Sequence, residues 1–362
     1  HVPGTPGSVK ESLGWSVFRQ CKARSDLWVC LRFCCEVGYT AFLTFKTGPH
    51  AHRLIDARKL ARGYDDGRRT GLGQLPKWRR SDRAVHASAG AKTGEDGMRS
   101  ATLVVMRHGE STWTDKTQNR FAGWVDVPLT ERGRDQARHA GKLMRDANIK
   151  PDAAFTSLLR RSIETCNIVL DAVDRLWVPV MRSWRLNERH YGSFQGQTRP
   201  AMRKRYGDEL FATYRRSYDV RPPEISEDSP WWQGNDARYG IVARDGLDEL
   251  DPSTIRSECL KDVVVRLEPF WQSFVTPCLS LGETVVIVTH GSVVRSLIKV
   301  IEGLSDEEIR TVNVPTGVPR VYEFECDAFG GLRVLGAGRY LDLEAAEAGI
   351  AETSALGEAT LG

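Results

Sequence analysis

The sequence predicts an α/β fold with a largely parallel sheet, and three observations carry that expectation. Apolar strand-like runs alternate with longer helical patterns between residues 98 and 345. Two of the runs, LVVM (103–106) and the VVIV of TVVIVT (284–289), are apolar, as strands buried on both faces require. Both end in His-Gly, at His108-Gly109 and His290-Gly291.

The elements follow in order. ATLVVMR (101–107) is the first strand. A helix is expected over 128–147, with Thr130 as N-cap and Ala137, Ala140, Leu143 and Met144 at helical spacing. DAAFTS (152–157) is the second strand, RRSIETCNIVLDAV (160–173) a helix and VPVMRSWRL (178–186) the third strand. Residues 188–256 are rich in Arg, Gly, Pro and Trp and less regular; a long stretch of this kind in a compact domain is functional or disordered. A helix over 262–279, a strand over 283–291 and a helix over 292–303 come next. RVYEFECD (320–327) and LRVLGAGRYL (332–341) suit a closing hairpin, and 346–362 reads as a tail. No repeat of fixed period is visible.

The first hundred residues differ in kind. They carry 18 Lys/Arg against 9 Asp/Glu, whereas the remaining 262 carry 33 against 38. No methionine precedes Met98, and 50–97 show little periodicity. Residues 1–97 are therefore expected to be a basic, disordered extension; a leader or a stretch of upstream reading frame fits the same composition. Asp65-Asp66 and Glu95-Asp96 weigh against a targeting leader. Scattered basic residues without a motif weigh against a nucleic-acid module, so no nucleic acid is expected as a partner. The domain boundary is expected at 97/98.

The best candidate for a membrane span, 27–45, is interrupted by Arg32 and Glu36, so no membrane association is expected. Cys166, Cys259, Cys278 and Cys326 are widely spaced with no CxxC, which favours reduced thiols and a cytoplasmic protein.

Open α/β sheets bind ligands at the carboxyl ends of their strands, and both His-Gly pairs fall at that edge. Glycine after each histidine is expected to let backbone approach a ligand, and a helix starting just beyond to offer N–H groups to an anion. Arg107, Arg160-Arg161, Arg189 and Arg215-Arg216 supply guanidinium forks suited to phosphate oxygens. Arg132, Arg134 and Arg138 read instead as solvated helix faces. A histidine among arginines is held neutral at pH 7 and is then a nucleophile toward phosphorus. The same arginines would stabilise the phosphohistidine, and Glu188 is placed to move the proton. No metal-ligand spacing such as HExxH occurs, so no metal is expected.

Taken together, RHGESTW (107–113), FAGWVDVPLTERG (121–133), FTSLLRRSIET (155–165), LNERHYGSFQG (186–196), YGDE with YRRSY (206–218), THGS (289–292) and VPTGVPRVYEF (314–324) resemble the cofactor-dependent phosphoglycerate mutases of the histidine phosphatase superfamily. The resemblance spans about residues 100–342. It implies a three-layer sandwich with helices on both faces of a mostly parallel sheet. It implies His108 as the phosphorylated residue, Glu188 as proton donor and acceptor, His290 as stabiliser of the transferring group, and Arg107 and Arg161 as the phosphate clamp. Ser111, Thr114, Ala122, Gly123, Tyr191, Arg199, Arg215, Arg216, Gly291 and Ser292 fall at substrate-contacting positions. The implied reaction interconverts 3-phosphoglycerate and 2-phosphoglycerate, primed by 2,3-bisphosphoglycerate, in a chain compatible with a homo-oligomer.

The chain departs from the family pattern at several points. Thr114 stands where the family has asparagine, Ala122 where it has threonine, Arg199 where it has lysine and Ser292 where it has asparagine. Two extra residues lie between Trp113 and Asn119, and the spacing of 226–261 is unusual. These changes bear on the balance between mutase, synthase and phosphatase activities. A phosphatase or a bisphosphoglycerate mutase on the same fold is the alternative reading, and a non-catalytic binding protein a remoter one. The length of 188–256 favours the mutase, because a cap over the site would exclude water.

Overall fold

The computed structural model describes residues 42–46, 52–56, 99–240, 245–327 and 331–358. The chain divides into two compact units, His1–Ala84 and Val85–Gly362. In the first, the described residues are an antiparallel pair, β1 (Phe42–Lys46) and β2 (His52–Asp56). The rest of the expected extension, with the boundary at 97/98, lies outside the described residues.

The second unit is built on one mixed sheet. Its strands are β3 (Arg99–Arg107), β4 (Ala153–Thr156), β5 (Val180–Arg182), β6 (Thr284–Thr289), β7 (Arg320–Cys326), β8 (Leu332–Val334) and β9 (Arg339–Tyr340). The order is β5-β4-β6-β3-β7-β8, with β9 also on β7. The first four strands run parallel; β7 lies antiparallel to β3 and forms the expected hairpin with β8 and β9. The expected final strand breaks into β8 and β9 around Gly336, whose φ is +98°.

Alternation along β3 explains the three layers. Leu103 and Val105 pack on one face with Val263 and Leu267 of α4 (Leu260–Phe270) and Val293 and Leu297 of α6 (Gly291–Glu302). Val104 and Met106 pack on the other with Ala140 and Met144 of α1 (Glu131–Asp146) and Cys166 and Val169 of α2 (Arg160–Ala172). The β6 residues Ile287 and Val288 divide in the same way. A strand buried on both faces has no polar side to show, which is why residues 103–106 and 285–288 are all apolar. The helix starts agree too: Thr130 caps α1 by accepting from the Gly133 N–H.

Four regions differ from expectation. The third strand expected over 178–186 is only Val180–Arg182, because Ser183 accepts from the Arg185 N–H and starts a 3-10 turn (Trp184–Leu186). Residues 188–256 contain a helix, α3 (Arg199–Arg216), capped by Thr198 and kinked at Gly207 with φ +75°. Only Met202 and Phe211 of α3 are fully buried, so no apolar stripe announced it. The helix expected over 262–279 is α4, a π-helical turn (Trp271–Val275) and α5 (Thr276–Ser280), an interruption at home beside Pro269 and Pro277. Beyond a short α7 (Glu308–Thr311), the expected tail is a helix, α8 (Leu343–Glu358). Its Ala-, Glu- and Leu-rich sequence favours helix, and Asp342 Oδ1 accepts from the Ala345 N–H at its start.

Candidate active site

The parallel register sets Arg107 beside Thr289, so β3 and β6 end level and deliver His108 and His290 to one place. Their ring centroids lie 4.9 Å apart at 64°. Both side chains are buried.

Hydrogen bonding assigns a different task to each ring. His108 Nδ1 lies 2.6 Å from the Gly109 carbonyl oxygen, which can only accept, so the proton sits on Nδ1. Nε2 is left with its lone pair, accepting from Arg161 Nε at 3.2 Å. His290 Nε2 meets Ser157 Oγ at 2.8 Å, and that hydroxyl already accepts from the Leu159 N–H. Nε2 is the one acceptor that the described residues offer this hydroxyl, so Ser157 gives its own proton to Nε2 and the His290 proton sits on Nδ1, a buried atom with no partner. Burial, then the charges of Arg161 and Arg107, hold the His108 imidazole well below its usual pKa. Burial and Arg161 do the same for His290. Both are neutral at pH 7, as the sequence predicts, but with burial rather than the arginines as the larger cause.

The two glycines after these histidines do different work. A Cβ on Gly109 would run into the carbonyl of Gly133, so this glycine admits α1 rather than a ligand. That corrects the expectation of a ligand approach there. Gly291 lines the cleft, where a Cβ would lie 3.7 Å from Arg107 Nε and Glu188 Oε2. A helix begins directly only after His290, and its first anion is internal: Glu188 Oε1 accepts from the N–H groups of Ser292 (3.0 Å) and Arg189 (2.8 Å).

Beside His108 lies a cleft. The sequence-predicted Arg107, His108, Thr114, Ala122, Gly123, Arg161, Glu188, Tyr191, Arg199, Arg215, Arg216, Gly291 and Ser292 all line it. Ser111, His290, Arg160 and Arg189 do not. His290 is fully buried. The Arg160 guanidinium pairs with Asp126 at 3.2 Å, and that of Arg189 donates to the carbonyls of Tyr214 (3.1 Å) and Arg215 (3.2 Å). Ser111 is fully buried behind Thr114, and its N–H donates to Thr114 Oγ1 at 2.9 Å. The Thr114 hydroxyl is thereby engaged within its own loop. Arg161 is fixed by the carbonyls of Gly123 (2.7 Å) and Val125 (2.8 Å). Arg199 is held by Asn119 Oδ1 at 2.8 Å.

Sequence reasoning missed Phe121, Arg295, Asn313, Val314 and Thr353, which also line the cleft. Arg295 lies four residues beyond Gly291, one turn along the same face of α6, and that spacing was the available signal. Asn313 accepts from Arg216 and donates to Ser354 of α8 at 3.0 Å. Arg132, read as a solvated face, bridges Glu110 (2.8 Å) and Glu352 of α8 (2.7 Å). Arg134 and Arg138 are the surface pairings expected.

Six guanidinium groups, from Arg107, Arg161, Arg199, Arg215, Arg216 and Arg295, thus face one space with a single carboxylate, Glu188, among the residues lining it. Burial pushes Arg161 and Arg199 down to about 10 and Arg215 and Arg295 to about 9, with neighbouring arginines adding repulsion. An anion in the cleft would relieve both penalties. Arg107 Nε and Arg295 Nε are buried donors without partners. Among the described residues no group of three or more His, Cys, Asp or Glu could hold a metal ion, and no helix is long and apolar enough to cross a membrane.

A family model for the histidine phosphatase superfamily (branch 1) matches residues 103–233 and 236–333. A 2,3-bisphosphoglycerate-dependent phosphoglycerate mutase of Bifidobacterium longum (strain DJO10A) is 48% identical over 256 residues, covering 71% of this chain and 98% of that protein. One of that same description from Leifsonia xyli subsp. xyli is 46% identical over 259 residues, covering 72% and 98%. Among solved structures, Bacillus stearothermophilus YhfR aligns with a TM-score of 0.48 and 26% identity, over 67% of this chain and 100% of that one.

Proposed function

Because the chain belongs to the histidine phosphatase superfamily, we propose for it the glycolytic and gluconeogenic interconversion of 3-phosphoglycerate and 2-phosphoglycerate, carried by a phosphohistidine at His108 and primed by 2,3-bisphosphoglycerate. The observation that supports it most is the unprotonated Nε2 of a neutral His108, with Arg161 as its one donor, at a space ringed by six arginines. In the priming step Nε2 attacks a phosphoryl group of the bisphosphate. The P–N bond forms, the P–O bond breaks, and the leaving alkoxide takes a proton from Glu188. In return, Glu188 removes a proton from a monophosphoglycerate hydroxyl, which attacks the phosphohistidine. Arg107, Arg161 and His290 Nδ1 are the donors for the charge that builds on the transferring group. Arg199, Arg215, Arg216 and Arg295 are left for the substrate's other anionic groups. Such a substrate carries a phosphate and a carboxylate, and this double cluster suits it better than a monoanion.

The test is the conversion of 3-phosphoglycerate with and without 2,3-bisphosphoglycerate. Turnover should depend on the primer and label His108. Rapid hydrolysis of the phosphohistidine with no 2-phosphoglycerate formed would overturn the mutase reading.

A further inference from the structure

The geometry points to the buried pair Arg266–Glu258 as the device that positions Glu188, and this inference rests on the proton-shuttle reading of that residue. Glu188 sits on irregular backbone after a 3-10 turn (Trp184–Leu186), so its neighbouring carbonyls have no sheet or helix partners. Arg266 on α4 supplies most of them, while Thr289 Oγ1 donates to the Leu186 carbonyl (2.6 Å) and Trp124 Nε1 shares that of Glu188 (2.5 Å). Its guanidinium donates to the carbonyls of Arg185, Asn187 (2.8 Å) and Glu188 (3.1 Å). The remaining reach goes to Glu258, at 2.7 Å from Nε and 3.2 Å from the nitrogen shared with Asn187 and Glu188. Glu258 then grips the other side of Glu188. Its Oε2 accepts from the His190 N–H at 2.8 Å, and its own N–H donates to the His190 carbonyl at 2.8 Å. Residues 185–190 are thus tied on both flanks of the carboxylate by one ion pair.

Stability alone does not account for such a pair. Arg266 is 1% exposed and Glu258 3%, and two charges buried this deeply gain little over a well-packed apolar pair. Only a guanidinium offers five donors in a fixed plane, enough to serve three carbonyls and a carboxylate together. Lysine would keep the charge and lose the fork. Neither Arg266 nor Glu258 lines the cleft, so both act through Glu188 rather than on substrate. The outcome is a carboxylate whose Oε1 is pinned by two N–H groups while Oε2 lies beside Gly291 in the cleft.

The experiment separates positioning from general damage by the leaving group. Phosphoryl transfer to His108 from 2,3-bisphosphoglycerate expels an alkoxide and needs the Glu188 proton; transfer from p-nitrophenyl phosphate expels a stable phenolate and does not. Arg266→Lys should slow phosphoenzyme formation from the bisphosphate by roughly 30-fold or more, and from the aryl phosphate by less than about threefold. Glu258→Gln should show the same split. Adding Glu188→Gln should leave Arg266→Lys with no further effect on the bisphosphate reaction. Equal losses on both phosphates, or additive losses in the double variant, would overturn the proposal. Because the readout is phosphoenzyme formation, it stands even if wild-type protein makes no 2-phosphoglycerate; that result would count against the mutase reading alone.

Discussion

The ends of β3 and β6 look alike in sequence and differ in the folded chain. Each is an apolar strand closing on His-Gly, and the two rings meet at 4.9 Å. At the β3 end, Nδ1 is tied to the residue's own neighbouring carbonyl and Nε2 is an electron pair with only Arg161 against it. At the β6 end, Nε2 is tied to Ser157 and Nδ1 is a buried donor with nothing to meet. One imidazole presents a lone pair, the other a proton. A His-Gly after a buried strand marks the place of the chemistry; the partner of the second ring nitrogen decides the role.

The most severe way to break this comparison is to remove each ring in turn. His108→Ala should lower mutase turnover by at least about 10⁴-fold and abolish phosphoenzyme, since no other lone pair is aimed there. His290→Ala should cost less, about 10²- to 10³-fold in kcat, as expected for one donor to a developing charge. It should still form phosphohistidine from the primer, slowly. Trapping the phosphoenzyme on acid quench distinguishes the two; a labelled His108→Ala protein would refute the division of roles.

The fold and the centre of the site were legible because both are written in local pattern. Continuous apolar runs gave the two central strands, and Thr130 marked the start of α1. Arg107, Arg161, Arg215 and Arg216 were legible as forks suited to phosphate, but Arg199 came only through the family resemblance, since nothing in its spacing says that it meets Arg107. What stayed hidden depends on tertiary placement. The α3 helix buries two side chains and is kinked at Gly207, so it carries no apolar period. Thr353 reaches the cleft only because α8 is docked through Glu352 to Arg132 and through Ser354 to Asn313. Gly109 was read for the wrong reason, because the group it must avoid, the Gly133 carbonyl, is 24 positions away in the chain.

In one respect the two strand ends should behave alike. Each imidazole has a folded pKa well below 6.5. Below pH 6.5 the unfolded chain protonates both and the folded chain neither, so unfolding takes up protons and stability falls as pH drops. Each ring contributes up to about 1.4 kcal/mol per pH unit, about 2.8 kcal/mol for the pair. His190, pushed down to about 4 by burial, adds to that slope. Urea midpoints between pH 7 and pH 5 measure it, and His108→Asn and His290→Asn should each remove an equal part. A slope untouched by either change would mean that the rings are not held neutral.

The finest test concerns what fixes the proton of His290. In Ser157→Ala the imidazole keeps its place, because it is enclosed by β6 and α6, but Nε2 loses the hydroxyl that donates to it. The ring is then free to carry its proton on either nitrogen, and only the Nδ1 form can meet the transferring phosphoryl group. Two tautomers of similar energy would halve the competent population. The lost orientation adds to that, so kcat should drop about threefold to tenfold with little change in KM. A threonine at 157 keeps the hydroxyl and should restore most of the rate. If alanine left kcat unchanged, the buried Nδ1 proton of His290 would not be set by Ser157, and the contrast between the two strand ends would have to rest on His108 alone.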